Sequence, residues 1–533
     1  MEACYHLKKL FLWLCTGLFL SSFLMRNAGA LDYKFNMSYI YFGNSSGYTK
    51  LVDATQNSLN EVTPNYFSLD TAGNLVITNA ASKSFVDAMH ARGIRVVPYL
   101  TNDWVKTTGL NALNNREALA KALSKAADDY NLDGISLDFE GLGVSERDAY
   151  TDFVRLLYNE LHPKGKTVTV AVAANPWGWT TGWQGSYDYA GLAQYCDYLM
   201  IMAYDESYAG SKAGPVSSLS FVEKSIQYAV SKAPTEKIVL GLPFYGRIWS
   251  NSGGYPKGYG ISNTKIASLV AAYNGTVYVD KPSQSACAVI TIGSSDTKPV
   301  IGGKALSAGT YTIWFDNEQT LKEKLALVGQ YDIRGAGSWS LGQENSATWD
   351  YYKLWLNGCT FGDIQNSWAK DYILNAYKNN WVEGVTPDTF APEQSLTRAE
   401  AAALLVRFLG LPIEENGAFG FEDTKGSWAE RYINTARRYA LIDGIGGNLF
   451  APDRPVSRQE LAVMLNNHLG FTATGGQAAF PDVRADNHTW SYEAISALNE
   501  KGIITGYPDG SFRPEADVSR AEMTALVVRT DRG

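Results

Sequence analysis

Cysteine is scarce in this chain, with five among 533 residues, and two of them, Cys4 and Cys15, fall within the first thirty. The remainder, Cys196, Cys287 and Cys359, is an odd and small number, which excludes a disulfide scaffold. The five histidines are scattered, and none lies near the carboxylates discussed below, so no metal site and no cofactor are expected. Excess positive charge is also absent: 46 basic residues face 54 acidic ones, a formal net charge of −8. That balance excludes nucleic acid as a partner and a general affinity for anionic membranes.

A long apolar run is missing as well. Leu10 to Met25 contains Gly17, Ser21 and Ser22, and is shorter than the roughly 20 residues needed to span a bilayer. Lys8 and Lys9 precede it and Ala28-Gly29-Ala30 follows, which is the pattern of an export signal cleaved before Leu31. Leu14 argues against lipid modification of Cys15. No stable transmembrane segment is expected after cleavage. What is present is globular, 45% apolar and 13% aromatic, in a chain long enough for two or more folded units.

Between Asn36 and about Ser340, short β-branched or aromatic runs alternate with amphipathic stretches. The runs start at residues 36 ("NMSYIYF"), 65 ("NYFSLD"), 94 ("IRVVPYL"), 134 ("GISLDFE"), 168 ("VTVAVAA"), 197 ("DYLMIMAY"), 237 ("KIVLGLPFY") and 335 ("GAGSWS"). Segments 116–130, 147–161 and 221–233 are apolar at three- and four-residue intervals, as helices require. Eight strands alternating with helices predict an α/β fold, the (β/α)8 TIM barrel, with a doubly wound open sheet as the alternative. Between the seventh and eighth runs, "SNSGGYPKGYG" and β-rich sequence predict a small inserted subdomain over the barrel mouth.

Beyond Gly358 an internal repeat takes over. Trp368, Phe390 and Arg398 recur as Trp428, Phe450 and Arg458, and again as Trp490, Phe512 and Arg520, each copy opening on an Asp (363, 423, 482). Thr397 to Glu400, Ser457 to Glu460 and Ser519 to Glu522 fit the capping box of a helix start. The box explains the hydroxyl and the Glu but not the Arg, which opposes the helix dipole by about 0.3–1 kcal/mol. Three copies of this disfavoured Arg suggest an anion site, with the Trp either a stacking face for a sugar or a core residue. The repeat resembles the S-layer homology module. That resemblance implies a three-fold arrangement binding an acidic secondary cell-wall polymer, with Trp368, Trp428, Trp490, Arg398, Arg458 and Arg520 lining up to three grooves. The second copy departs from the pattern, with "GIGGNLF" for the Pro-Asp turn and Gln459 for Ala.

In "LDGISLDFEG", read as a strand, Ser136, Asp138 and Glu140 share one face and Ile135, Leu137 and Phe139 the other. Two carboxylates at the mouth of a barrel repel in a low-dielectric setting, so one keeps its proton near neutral pH. Glycoside hydrolysis needs that pairing of an acid with a charged carboxylate. A surface hairpin or a metal site would be the competing explanations. Together with "MIMAYD", "GLPFYGR" and "GAGSWSLG", the stretch resembles the motifs of glycoside hydrolase family 18. That resemblance implies a retaining mechanism in which the substrate's own acetamide attacks. Glu140 would be the general acid, Asp138 the partner of the acetamide N–H, Tyr204 a donor to its oxygen, and Trp339 the floor of the sugar subsite. Met202, Asp205 and Arg247 would be wall residues.

The substrate implied carries N-acetylglucosamine, in peptidoglycan or chitin, and the style is closer to spore-cortex-lytic members. An exported glycosidase held non-covalently at the bacterial cell wall is the expected function. The alternatives are an inactive glycan-binding surface protein and an S-layer structural component. Ser136, where the family usually has an Asp, is expected to hydrogen-bond Asp138; Asp133 is expected to be structural. The expected divisions are 1–30 signal, 31–357 barrel, and repeats at 358–416, 417–475 and 476–533.

Overall fold

The computed structural model describes residues 33–415, 417–474 and 480–531, so the export signal lies outside the described residues. Lys34–Gly358 forms one compact unit and the chain from Cys359 onward another. Among the described residues no helix is long and apolar enough to cross a membrane.

The first unit is the (β/α)8 barrel. Its strands are Phe35–Ile40, Glu61–Pro64, a third in two pieces (Arg95–Val96 and Tyr99–Thr101), Gly134–Asp138, Thr167–Ala173, Tyr198–Met202, Ile238–Pro243 and Gly335–Trp339. Each pairs in parallel with the next, and the eighth pairs back onto the first. The third strand breaks at Val97-Pro98, where proline has no N–H for the ladder.

The second strand corrects the sequence reading. The run at residue 65 supplies only Phe67–Leu69, half of a small hairpin at the barrel's side; the barrel strand is Glu61–Pro64. A four-residue segment with Glu at one end and Pro at the other has no β signature. It is a strand by its parallel pairing with the first and third strands, and its buried Glu61 has a donor there: the Tyr198 hydroxyl donates to it at 2.5 Å, and Arg95 lies 4.0 Å away. Burial pushes the Glu61 carboxyl up to about 7 despite those partners.

Two apolar layers follow from strand alternation. Inward-facing Met37, Tyr39, Tyr99, Ala171, Tyr198, Met200 and Val239 fill the barrel, while Ile135, Leu137, Phe139 and their counterparts pack under the helices. Helix Arg147–Leu161 shows why the shell forms. Tyr150, Phe153, Val154, Leu157 and Leu161 fall on one buried stripe, and Pro163 follows its end.

The insertion is a five-stranded antiparallel sheet crossed by helix Asn263–Ala272, around its own core of Ile248, Ile261, Ile266, Ile290 and Ile313. Its first strand, Tyr245–Ser250, leaves the end of the seventh barrel strand directly, and this connection carries two residues into the site described below.

The second unit repeats one motif three times. First helices are Lys370–Lys378, Glu430–Arg438 and Tyr492–Glu500; second helices are Arg398–Phe408, Arg458–Leu469 and Arg520–Asp531. Bridges Ser395 to Ser519, Thr397 to Pro455 and Ser457 to Asp517 tie the segments before the second helices to one another. The opening Asp of each copy accepts two backbone N–H groups of its own turn: Asp363 from Phe390 and Ala391, Asp423 from Phe450 and Ala451, Asp482 from Phe512 and Arg513.

Candidate active site

Asp138 is the last residue of the fourth strand, and Glu140 follows two positions later. The backbone carrying Glu140 is pinned from both sides. Asn102, just past the third strand, accepts from the Glu140 N–H at 2.7 Å and donates to its carbonyl at 2.9 Å, while the Tyr187 hydroxyl donates to the Phe139 carbonyl at 2.8 Å. Gly141 then turns away at φ +70°, and a Cβ there would press on the Trp104 ring at 3.3 Å.

Both carboxyls are held above the ordinary carboxylate range. Burial, then the charge of Asp103, pushes Asp138 up to about 7. Burial, then the charges of Asp138 and Asp205, pushes Glu140 well above its ordinary range, with the Trp104 side chain pulling the other way. The pair therefore retains a proton at neutral pH. Asp138 Oδ1 is buried without a hydrogen-bond partner, an acceptor aimed at nothing the protein supplies.

Around this pair the structure brings together Tyr204, Met202, Asp205, Arg247 and Trp339. Tyr204 stands just beyond the sixth strand, its ring 6.1 Å from Tyr245; burial, then Tyr245 and Tyr39 and the two carboxylates, raises its hydroxyl, so it stays a proton donor. Asp205 accepts both arms of Arg247, at 2.8 and 2.6 Å, and the Tyr245 hydroxyl at 2.6 Å. Trp339 ends the eighth strand and packs against Tyr39 at 5.3 Å and Tyr41 at 5.5 Å. Exposed aromatics continue the surface outward at Phe42, Trp104, Trp177 and Trp179.

Sequence reasoning passed over Tyr245, Asn102, Trp104 and Asp103. Tyr245 had a usable signal, since it precedes Arg247 by two along a strand and so shares its face. The other three sit on the loop after the third strand, where no periodicity marks them.

The family model for glycosyl hydrolases family 18 matches residues 37–344, and the S-layer homology domain model matches 360–402, 420–462 and 480–524. The chain belongs to glycosyl hydrolase family 18. It is a glycosidase of that family followed by three S-layer homology modules, which indicate attachment at the cell surface. It is 26% identical over 324 residues to the uncharacterized glycosylase YvbX of Bacillus subtilis, covering 58% of this chain and 90% of that one. It is 24% identical over 286 residues to the cortical fragment-lytic enzyme of the same organism, covering 53% and 59%. To a third Bacillus subtilis protein, YdhD, it is 28% identical over 211 residues, matched over 46% of that protein's length and 39% of this chain. A chitinase structure from Chromobacterium violaceum shares the fold, with a TM-score of 0.54 at 24% identity, over 61% of this chain and 99% of that one.

One detail of this family 18 chain differs from expectation. Ser136 does not bond Asp138: its hydroxyl lies 3.3 Å from the Tyr39 hydroxyl, and Asp138 Oδ1 stays unpartnered. Asp133 is structural in a definite way, accepting from the Val96 N–H at 2.7 Å and pairing with His90 at 2.8 Å.

In the modules, the arginines of the capping boxes have an intramolecular use. Arg398 donates to the Phe450 and Asp443 carbonyls and to Glu460; Arg458 to Phe512, Thr505 and Glu522; Arg520 to Phe390, Glu383 and Glu400. Each Arg thus reaches the next copy, and the third reaches the first. Each Glu caps its own helix through one oxygen and receives the neighbour's Arg on the other. The ring of ion pairs explains an Arg that the helix dipole disfavours, so its position is not by itself a sign of an anion site. Arg398 is 3% exposed with all three donor nitrogens engaged, so its guanidinium is occupied inside the ring. Trp368, Trp428 and Trp490 are exposed at 57%, 61% and 55%, so none is a core residue.

Proposed function

We propose that this enzyme is exported and cleaves β-1,4 bonds following N-acetylglucosamine in wall glycan, by a retaining mechanism in which the substrate's acetamide is the nucleophile. The observation that carries the reading is the buried Asp138/Glu140 pair at the strand end, protonated once near neutral pH, with Tyr204 as a further donor. Glu140 protonates the glycosidic oxygen as the bond to the anomeric carbon breaks. The acetamide carbonyl oxygen attacks that carbon, and Tyr204 orients the carbonyl. Asp138 Oδ1 accepts the acetamide N–H, which stabilises the oxazolinium charge and gives that buried oxygen the partner it lacks. Water then attacks from the face the leaving group vacated, and Glu140 takes its proton, so configuration is retained. Trp339 forms the apolar floor, with Met202, Asp205 and Arg247 on the wall.

Peptidoglycan is favoured over chitin by the likeness to a cortical fragment-lytic enzyme and by the cell-surface modules. Those modules hold the enzyme non-covalently to an acidic secondary wall polymer. The mechanism predicts cleavage of N-acetylated oligomers and none of fully N-deacetylated ones, read as reducing ends and by mass spectrometry. Comparable rates on both would overturn the acetamide as nucleophile. Purified peptidoglycan should release products faster than chitin oligomers; the reverse order would reassign the substrate.

Ser136 supports a further expectation. An Asp placed at this buried position enters as its neutral acid and can donate toward the orphaned Asp138 oxygen. That favours ionised Asp138, so Ser136→Asp should move the acid limb of the pH–rate profile down by roughly one unit, with product pattern unchanged. An unmoved limb would refute it.

A further inference from the structure

Barrel interiors are ordinarily filled by branched apolar side chains, and one layer of this barrel is not. Strand pairing sets Tyr99 of the third strand level with Ser136 of the fourth, Ser136 with Thr169 of the fifth, and Thr169 with Tyr198 of the sixth. All four are buried, and all four carry a hydroxyl. The Tyr39 hydroxyl joins this belt at Ser136, 3.3 Å away. At the far end is Glu61, fully buried on the second strand, which accepts from the Tyr198 hydroxyl across the barrel at 2.5 Å. Asp138 stands two residues beyond Ser136, on the same face of the fourth strand.

The belt is short of partners. Among the described residues none bonds the hydroxyls of Tyr99 and Thr169, nor Glu61 Oε2 and Asp138 Oδ1 at its two ends. Unpaired buried polar atoms are costly, so four along one path point to a use for them. Adjacent strands lie about 4.8 Å apart, so a χ1 turn of Ser136 or Thr169, or one water, closes each step between neighbours.

The carboxyls at the two ends hold their protons over the same range. Burial pushes Glu61 up to about 7, against the pull of Arg95, the Tyr198 bond and Arg334, while Asp133 adds to the rise. Arg95 faces Glu61 from the third strand at 4.0 Å, and Arg334, just before the eighth, lies over the Phe35 and Tyr198 rings at 4.9 and 5.5 Å. Asp138, raised to about 7 by burial and then by Asp103, also faces Glu140. Its charge acts on the hydroxyls of Tyr39, Tyr99 and Tyr204, and on Tyr150 and Tyr187 in the surrounding shell. Tyr39 is acted on by both ends, by Asp138 more than by Glu61.

Resting on the reading that Asp138 accepts the substrate's acetamide N–H, we propose that Glu61 is a positioning residue for that step, storing the proton Asp138 gives up when the acetamide arrives. The proton travels along the belt. Asp138 passes its hydrogen to Tyr39, which passes its own to Ser136, and the shift runs on through Thr169 and Tyr198 to Glu61. Each O–H bond broken is replaced by one formed, and the negative charge moves from Glu61 to Asp138. In the starting state the belt's hydrogens point toward ionised Glu61; afterwards they point toward ionised Asp138, which the Tyr39 hydroxyl then supports. Asp138 thereby ionises beneath a bound sugar without exchange with solvent.

The test uses the full chain carrying Glu140→Gln, so that nothing turns over, titrated calorimetrically at pH 7 with a β-1,4-linked N-acetylglucosamine tetramer. Two buffers of different ionisation enthalpy give the protons released per tetramer bound. With Glu61 intact the release should be close to zero, because the proton stays within the barrel. Adding Glu61→Gln, whose carbonyl still accepts from Tyr198, should release about half a proton, the share that a carboxyl titrating near 7 holds at that pH. Thr169→Val cuts the belt without touching the Tyr198 bond and should release the same amount, with both variants keeping a cooperative thermal transition. About half a proton from all three chains would overturn the store. Release with Glu61→Gln but none with Thr169→Val would overturn the belt as its route. No release from any of the three would mean that Asp138 does not ionise as the sugar binds, and the acetamide reading would fail together with this inference.

Discussion

Glu140→Gln should lower kcat on N-acetylated oligomers by about 10²- to 10⁴-fold, the range a positioned general acid contributes. The amide keeps the shape of the side chain, and the bonds from Asn102 and Tyr187 run to backbone atoms and are untouched, so KM should change little. Substrates with a leaving group that needs no proton, such as a dinitrophenyl glycoside, should lose far less. The parent's rate should fall as pH rises through the elevated Glu140 range, because the acid is active only with its proton. With the dinitrophenyl substrate the variant should lose that limb. Stability provides a second readout. Burial and two neighbouring carboxylates raise the Glu140 carboxyl in the folded state, so the folded chain binds more protons than the unfolded one. Stability therefore declines as pH climbs from the ordinary carboxylate range toward the raised one. Glutamine removes that loss, so the variant should melt higher than the parent at neutral and alkaline pH. Equal turnover in both proteins would sink the assignment of Glu140, and no turnover in either would favour a glycan-binding role.

Arg398→Ala should destabilise the modules by about 3–5 kcal/mol, as removal of one partner from a buried ion pair does. The guanidinium satisfies two carbonyls and Glu460 in a site closed to water, and alanine leaves those acceptors without their donor. For a unit of this size each kcal/mol is worth roughly 2–4 °C, so the module transition in a thermal scan should fall by some 6–20 °C. Arg398→Lys keeps the charge but not the planar fork and should recover only part of the loss. Arg454 still holds Glu460, so the value should lie toward the lower end. A loss below about 1 kcal/mol would mean that the ring of arginines does not hold the copies together.

The barrel was legible because its signals are local. Alternation along "GISLDFE" fixes which side chains enter the barrel, and three- and four-residue spacing fixes the helix stripes at 147–161. Glu61–Pro64 was not legible, since its place in the sheet rests on pairing with the first and third strands, and its buried Glu61 takes a donor from Tyr198, distant in the chain. The carboxylate pair, Tyr204, Asp205, Arg247 and Trp339 could be nominated from motifs at strand ends. That Asn102 clamps Glu140 could not be, because the residues meet only when the third and fourth strands pair.

By itself the sequence determined what depends on neighbours a few residues apart: the period of each element, the two carboxylates on one strand face, the capping boxes and the triple repeat. Tertiary structure alone decided what depends on groups arriving from elsewhere. "LDGISLDFEG" carries a serine whose partner is Tyr39 rather than Asp138, because the Tyr39 hydroxyl arrives beside it from the first strand. The module arginines, read locally, are misplaced cations at helix starts. In the folded ring each is the donor that a carboxylate in the next copy requires, because a buried charge must be paired and its partner lies sixty residues or more away.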